Sequence, residues 1–337
     1  MIKQIIRLAS PGVFLPYFRV EESVKDKVLV RPTHLSICAA DQRYFRGDRP
    51  EKVLAKKLPM ALIHEAVGEV LCSGHSDFSV GDKVVMVPFE HPSGIAWANY
   101  LEHSRFRSSN QDGFTQETLV LSAGQLVKIQ REQYSDLFAL CELMSVCCQA
   151  ARRFADSVQH PEGMLGVWGD GSMAYVMALT LKQLFPENPI LVAGKHDSKL
   201  LYFSFADELM NITLPDAKLR VSHAFECVGG SGSQSAIDDI ISRIKPGGVI
   251  GLLGVSEVPP SVNTRMVLEK GLKLMGSSRS EYEDFVLATS FIHQEPVAER
   301  LRLIVSRVCE VNDSTSLEDA FWTDTQSRFK TLIKWMV

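Results

Sequence analysis

The sequence predicts an α/β protein in which a doubly wound parallel sheet is inserted between two parts of a β-rich domain. Three observations predict it. From Asp136 onward, short apolar runs alternate with stretches of helical spacing. The run Leu165-Gly-Val-Trp-Gly-Asp-Gly-Ser-Met-Ala174 joins a short apolar strand to a glycine turn and then to an apolar helix. Roughly the first 130 residues read as strands with short turns and little helix, which suits a partly open barrel.

Residues 1–32 alternate apolar and polar, most clearly in Lys27-Val-Leu-Val-Arg31, and read as antiparallel strands that Pro32 ends. Leu35-Ser-Ile-Cys-Ala-Ala-Asp41 follows, then a polar, basic segment over 42–57. Leu58-Pro-Met-Ala-Leu-Ile-His-Glu65 leads into a strand at 66–71, and Ser79-Val-Gly-Asp-Lys-Val-Val-Met-Val-Pro88 is a turn and a strand that Pro88 stops. Further on, strands are expected at 164–168, 189–193, 221–227, 248–253 and 272–276, with helices at 172–185, 198–205, 233–244 and 264–270. A helix near 281–294, mixed short elements and a closing strand at 329–337 complete the chain. The boundaries fall at 1–147 and 295–337 for the β-rich catalytic domain and 148–294 for the inserted domain.

With 337 residues the chain can bury ample core, and 45% hydrophobic and 23% charged residues are ordinary for a globular protein. A net charge of −4 argues against nucleic acid as a bulk partner. No run reaches the ~18 apolar residues of a membrane span, and the N-terminus lacks a signal-peptide pattern. Seven cysteines without C-x-x-C spacing suit a reduced, cytoplasmic protein.

The glycine turn Gly169-Asp170-Gly171-Ser172-Met173-Ala174 has the spacing that lets a backbone approach a pyrophosphate at a helix N-terminus. An acid about 20 positions beyond such a turn would hold a ribose 2′-hydroxyl. Here the corresponding strand ends in Gly194-Lys195-His196, with Lys199 following. Missing acid and added cations favour NADPH over NADH. A second constellation is Cys38, His64, Glu65 and Glu142, all of zinc-ligating type. Spacing alone makes this weak, because a lone cysteine or histidine is more often core. Asp41 either orients neighbouring groups or caps a turn.

The order Gly68-Glu-Val after His64-Glu65, Val80-Gly-Asp-Lys-Val84 before a proline, Asp112-Gly-Phe114 with Gln116, Glu142-Leu-Met-Ser-Val146 and then the glycine turn resembles the zinc-dependent medium-chain dehydrogenase/reductase family. The runs Ser36-Ile-Cys-Ala-Ala-Asp-Gln-Arg-Tyr44, Phe106-Arg-Ser-Ser109, Phe225-Glu-Cys-Val-Gly-Gly230, Leu253-Gly-Val-Ser-Glu257 and Gly276-Ser-Ser-Arg-Ser280 narrow the resemblance to its ribulose-5-phosphate reductases, which feed CDP-ribitol synthesis for wall teichoic acid or capsule polymers.

That resemblance implies a GroES-like catalytic domain, a Rossmann domain and an NADP-dependent oxidoreductase. It implies catalytic zinc at Cys38, His64, Glu65 and Glu142, with direct ligation by Glu65 or Glu142 left open. Gly169 to Ala174, Gly194, Lys195, Lys199, Cys227, Val228, Gly229, Leu253, Gly254, Ser277 and Arg279 would meet NADPH. The substrate phosphate would fall to Arg43, Arg105 or Arg107. Two departures matter. No cysteine lies in 90–106, so one zinc is expected and no structural zinc; and Ala40 stands where a Ser or Thr would start a proton relay, leaving bound water, Glu65 or Tyr44. A homodimer through an edge near 260–277 and a ribitol-5-phosphate cytidylyltransferase partner are further implications. Two other readings stay open: a dehydrogenase of unphosphorylated polyols such as sorbitol or arabinitol, and a non-catalytic dinucleotide-binding protein.

Overall fold

The computed structural model describes all residues except Met1, 21–22, 91–99, 101–103 and 215–218. Contacts divide the chain into one unit of Met1–Glu142 with Glu281–Val337 and a second of Leu143–Ser280. The first unit begins with strands β1 (Ile2–Ser10), β2 (Val13–Val20), β3 (Val28–Ser36), β4 (Glu65–Ser73), β5 (Lys83–Met86), β6 (Phe89–Glu90), β7 (Arg105–Phe106), β8 (Leu119–Leu121) and β9 (Leu126–Ile129). Two short helices, α1 (Ala39–Phe45) and α2 (Glu51–Lys57), stand where the sequence shows only a polar, basic segment. Each has seven residues, too few for a helical period to emerge, and Val53 and Leu54 are merely half-buried against the core.

Helix α3 (Cys141–Ser157) carries the chain into the second unit. There β10 (Leu165–Trp168), α4 (Ser172–Leu184), β11 (Ile190–Gly194), α5 (Asp197–Leu200), β12 (Glu208–Asn211), β13 (His223–Glu226), α6 (Ser233–Arg243), β14 (Val249–Leu252), α7 (Thr264–Glu269) and β15 (Lys273–Gly276) follow. All pairs are parallel, in the order β12-β11-β10-β13-β14-β15. The order reverses beside β10, the doubly wound arrangement that places ligands beyond the strand C-termini. Its core is Trp168, Leu191, Ala193, Val221, Ile237, Ile240 and their neighbours. Edge strand β12 escapes the sequence pattern because it is four residues long with two of them exposed.

The chain then returns through α8 (Tyr282–Ile292), α9 (Glu295–Arg302), β16 (Val305–Val311), α10 (Ser314–Thr325) and β17 (Lys330–Trp335). Helix α8 belongs to the first unit: Phe285 packs on Phe89 and Tyr282 Oη donates to the Leu126 carbonyl at 3.3 Å. The principal sheet runs β16-β17-β3-β4-β5-β9, so the C-terminal strand pairs antiparallel with β3. Phe14, Phe45 and Phe321 form the aromatic part of the core, and α10 contributes Leu317 and Ala320. Among the described residues no helix is long and apolar enough to cross a membrane.

Gly113 shows how closely this unit is fitted. A Cβ there would lie 2.2 Å from the Leu62 carbonyl oxygen and 2.4 Å from that of Ile63, the backbone leading to His64. Neither can withdraw, because Phe114 N–H donates to Ile63 and Gly113 N–H to Ala61. Gly113→Ala is therefore expected to cost at least about 2 kcal/mol, read as a lower urea midpoint at unchanged slope.

Candidate metal centre and dinucleotide cradle

In the first unit, Cys38 sits just before α1, His64 just before β4, and Glu65 is the first residue of β4. The Cys38 sulfur, a His64 ring nitrogen and a Glu65 carboxylate oxygen all lie within 4.8 Å of one another. Glu142, on the first turn of α3, brings Oε2 to 4.0 Å from His64 Nε2. The four residues expected at a metal are thus neighbours. Their chemistry suits zinc: one thiolate, one imidazole and carboxylates, in a largely buried pocket.

Three features fit a divalent cation at this cluster. His64 Nδ1 and Glu65 Oε2 are buried without a hydrogen-bond partner. Such orphaned atoms are costly unless a ligand uses them. Burial pushes the Glu142 carboxyl up to about 7, with Glu65 adding repulsion and His64 and Lys330 opposing the rise. Burial would lower the His64 pKa, but the carboxylate of Asp41, 3.7 Å from Nδ1, and the Cys38 sulfur carry it well above the usual histidine value. A divalent cation among these groups relieves all three.

Two residues brace the cluster. Asp41, fully buried on α1, accepts hydrogen bonds from Ile63 N–H at 3.0 Å, Ser108 Oγ–H at 2.5 Å and Cys38 N–H at 3.2 Å. Despite its burial its carboxyl is held below the ordinary range by His64 and these donors. It thus both caps α1 and positions the segments that carry Cys38 and His64. Lys330 of β17 donates to Glu65 Oε1 at 2.8 Å and to the Ile37 carbonyl at 2.6 Å. Burial opposes its charge, but Glu65 and Cys38 outweigh it and hold the ammonium above the usual lysine value. No local pattern marks Lys330. In the sequence it is one of two lysines in the closing strand, and nothing local tells it from Lys334.

Of the arginines, Arg107 is nearly buried, stacks on Phe114 and donates to the Asp112 carbonyl at 3.1 Å. Arg105 is exposed, and both approach Glu90, at 3.4 and 3.8 Å. Arg43 is half-buried on the last turn of α1. Tyr44 is buried with the Arg49 guanidinium 4.7 Å from its ring centre. Ala40 is confirmed on α1, without a hydroxyl. Much of 90–106 lies outside the described residues.

In the second unit the glycine turn lies at the sheet's C-terminal end, between β10 and α4. Gly169 has φ +136°, and a Cβ there would press to 3.1 Å from Ala174 Cβ. Open space beside Gly171 leaves room for a pyrophosphate. Two further loops end neighbouring strands. Glu226, 1% exposed, accepts from Val228 N–H at 2.9 Å and Gly229 N–H at 2.8 Å, and from Gly254 N–H at 3.1 Å. One carboxylate thus ties Cys227–Gly229 to Leu253–Gly254. Sequence reasoning passes over Glu226, since an acid ending an apolar strand looks like a surface residue. Ser277 is buried with no hydrogen-bond partner for Oγ, Arg279 has φ +61°, Val228 is exposed, and Lys195 is exposed with Lys199 half-buried.

An alcohol dehydrogenase GroES-like domain model matches residues 24–131. The chain is 44% identical to ribulose-5-phosphate reductase 1 of Staphylococcus aureus and 43% identical to ribulose-5-phosphate reductase of Bacillus spizizenii, each over 100% of both chains. It is similar to the crystal structure of S. aureus TarJ in complex with NADPH, with a TM-score of 0.89, 41% identity and 100% of both chains covered.

Zinc uptake by the metal-free protein requires a deprotonated thiol and imidazole, and His64 is held protonated well above its usual pKa. Adding zinc to the apoprotein at pH 7 is expected to release at least one proton, measured with an indicator dye in weak buffer. Zinc affinity should rise with pH until it passes the His64 pKa.

Proposed function

Because the chain belongs to the ribulose-5-phosphate reductases of the zinc-dependent medium-chain dehydrogenase/reductase family, we propose that it reduces D-ribulose 5-phosphate to D-ribitol 5-phosphate with NADPH. The observation that carries this reading is full-length identity of 43–44% to two reductases together with the buried Cys38, His64, Glu65 cluster. The product is a teichoic acid precursor.

Cys38, His64, Glu65 and Glu142 hold one zinc, and the cradle around Gly169–Ala174, Cys227–Gly229, Leu253, Gly254, Ser277 and Arg279 holds NADPH. Bound zinc supplies a Lewis acid for the C2 carbonyl and bound NADPH supplies the hydride. The chain's residues do the rest. Asp41 holds the backbone of Cys38 and of Ile63 beside His64, and Lys330 keeps one Glu65 oxygen engaged while the other has no partner. Ala40 has no transferable proton, so the new hydroxyl takes its proton from solvent or a carboxyl of the cluster. Arg43, Arg105 or Arg107 meets the substrate phosphate as a planar donor fork.

The enzyme works in the cytoplasm as a homodimer joined along the edge strand β15 and the preceding α7, where Leu274 and Leu268 respectively are exposed. Its product passes to a ribitol-5-phosphate cytidylyltransferase.

A matrix of NADPH and NADH against ribulose 5-phosphate and free ribulose tests the reading. The NADPH and phosphorylated pair is expected to exceed free ribulose by about 100-fold or more in kcat/KM. Equal turnover of free ribulose would sink the phosphate assignment. In parallel, Cys38→Ser is expected to lose zinc by metal analysis and reduction together, and comparing Glu65→Gln with Glu142→Gln identifies which carboxylate loss empties the site.

A further inference from the structure

The tip of β11 carries no acid of its own, yet an acid is there. Asp170, from the glycine turn, reaches across and places Oδ2 2.9 Å from both Lys195 N–H and His196 N–H. The same oxygen lies 2.7 Å from His196 Nδ1. Gly194 makes this approach feasible: a Cβ on Gly194 would lie 2.8 Å from Asp170 Cβ and 3.2 Å from its Oδ2. An acidic side chain at 194, of the kind that would grip a ribose 2′-hydroxyl, is therefore excluded by Asp170 itself. Asp197, three residues beyond the strand, accepts from Asn211 Nδ2 at 2.7 Å.

We propose that Asp170 is a positioning residue for NADPH selection, which pins the Gly194-Lys195-His196 loop and aims His196 to bind the cofactor's 2′-phosphate. This rests on the NADPH reading above. With Asp170 as acceptor, Nδ1–H must donate, and Nε2 is the ring atom left for a ligand. The His196 side chain is 60% exposed while that of Asp170 is 13% exposed, so the imidazole can meet a ligand and the carboxylate is shielded. Lys195 and Lys199 add positive charge at the same strand tip. The donors from His196 and Lys195 outweigh burial and keep the Asp170 carboxyl below its ordinary range, so it stays an acceptor.

Simple electrostatics and this proposal disagree in sign, which makes the test sharp. Removing a negative charge near a dianion should strengthen its binding, whereas removing a loop anchor should weaken it. The probes are 2′,5′-ADP, which carries the distinguishing phosphate, and 5′-ADP, which lacks it, titrated calorimetrically against the zinc-loaded protein. Asp170→Asn is expected to weaken 2′,5′-ADP about tenfold more than it weakens 5′-ADP. His196→Asn, whose amide can still donate to Asp170, is expected to show the same selective loss. Stronger or unchanged 2′,5′-ADP binding in Asp170→Asn, or equal weakening of both probes, overturns the assignment. A wild-type protein with no preference for 2′,5′-ADP overturns the NADPH reading instead.

Discussion

Asp41 and Glu226 are each essentially inaccessible to solvent, and each accepts three hydrogen bonds, most of them from the backbone of loops that carry function. A buried carboxylate is tolerated only when donors surround it, since an unpaired one costs several kcal/mol. The requirement runs both ways. Once the acid is in place, every donor is held to it, so the loop bearing that donor is held as well. Asp41 thereby fixes the segments of Cys38 and His64, Glu226 fixes the turns after β13 and β14, and Asp170 fixes the turn after β11. Sites that must bind metal or cofactor without rearranging need this kind of support.

The metal cluster differs from these clamps in being unbalanced. Among the described residues, Asp41, Glu65, Glu142 and a thiol gather around His64 and Lys330. The Glu65–Lys330 pair is buried, and such pairs contribute little net stability because desolvation offsets the attraction. Its value lies in geometry: it leaves one Glu65 oxygen satisfied and one turned to the cluster. Burial with added repulsion from Glu65 raises the Glu142 carboxyl, and Asp41 with Cys38 raises the His64 imidazole.

The parallel sheet and glycine turn were legible because they are local. Gly169 and Ala174 are five residues apart, and their close packing follows from strand, turn and helix geometry alone. Helices α1 and α2 were not legible, being single short segments packed by distant residues. Cys38, His64, Glu65 and Glu142 stood out by residue type and by family resemblance, not by spacing. Lys330 and Glu226 were invisible for the complementary reason: their roles depend on what surrounds them.

By itself, then, the sequence determined the alternation of strand and helix, the glycine turn, the absence of an acid at the tip of β11 and the residue types available for zinc. All are properties of one short stretch read in order. Tertiary structure decided which charges meet. Lys330 reaches Glu65 across 265 positions, Asp41 reaches Ile63 across 22, and Asp170 reaches the β11 tip across 25. Protonation and loop position depend on those meetings, because electrostatic and hydrogen-bond energies follow distance and burial in space and not separation along the chain.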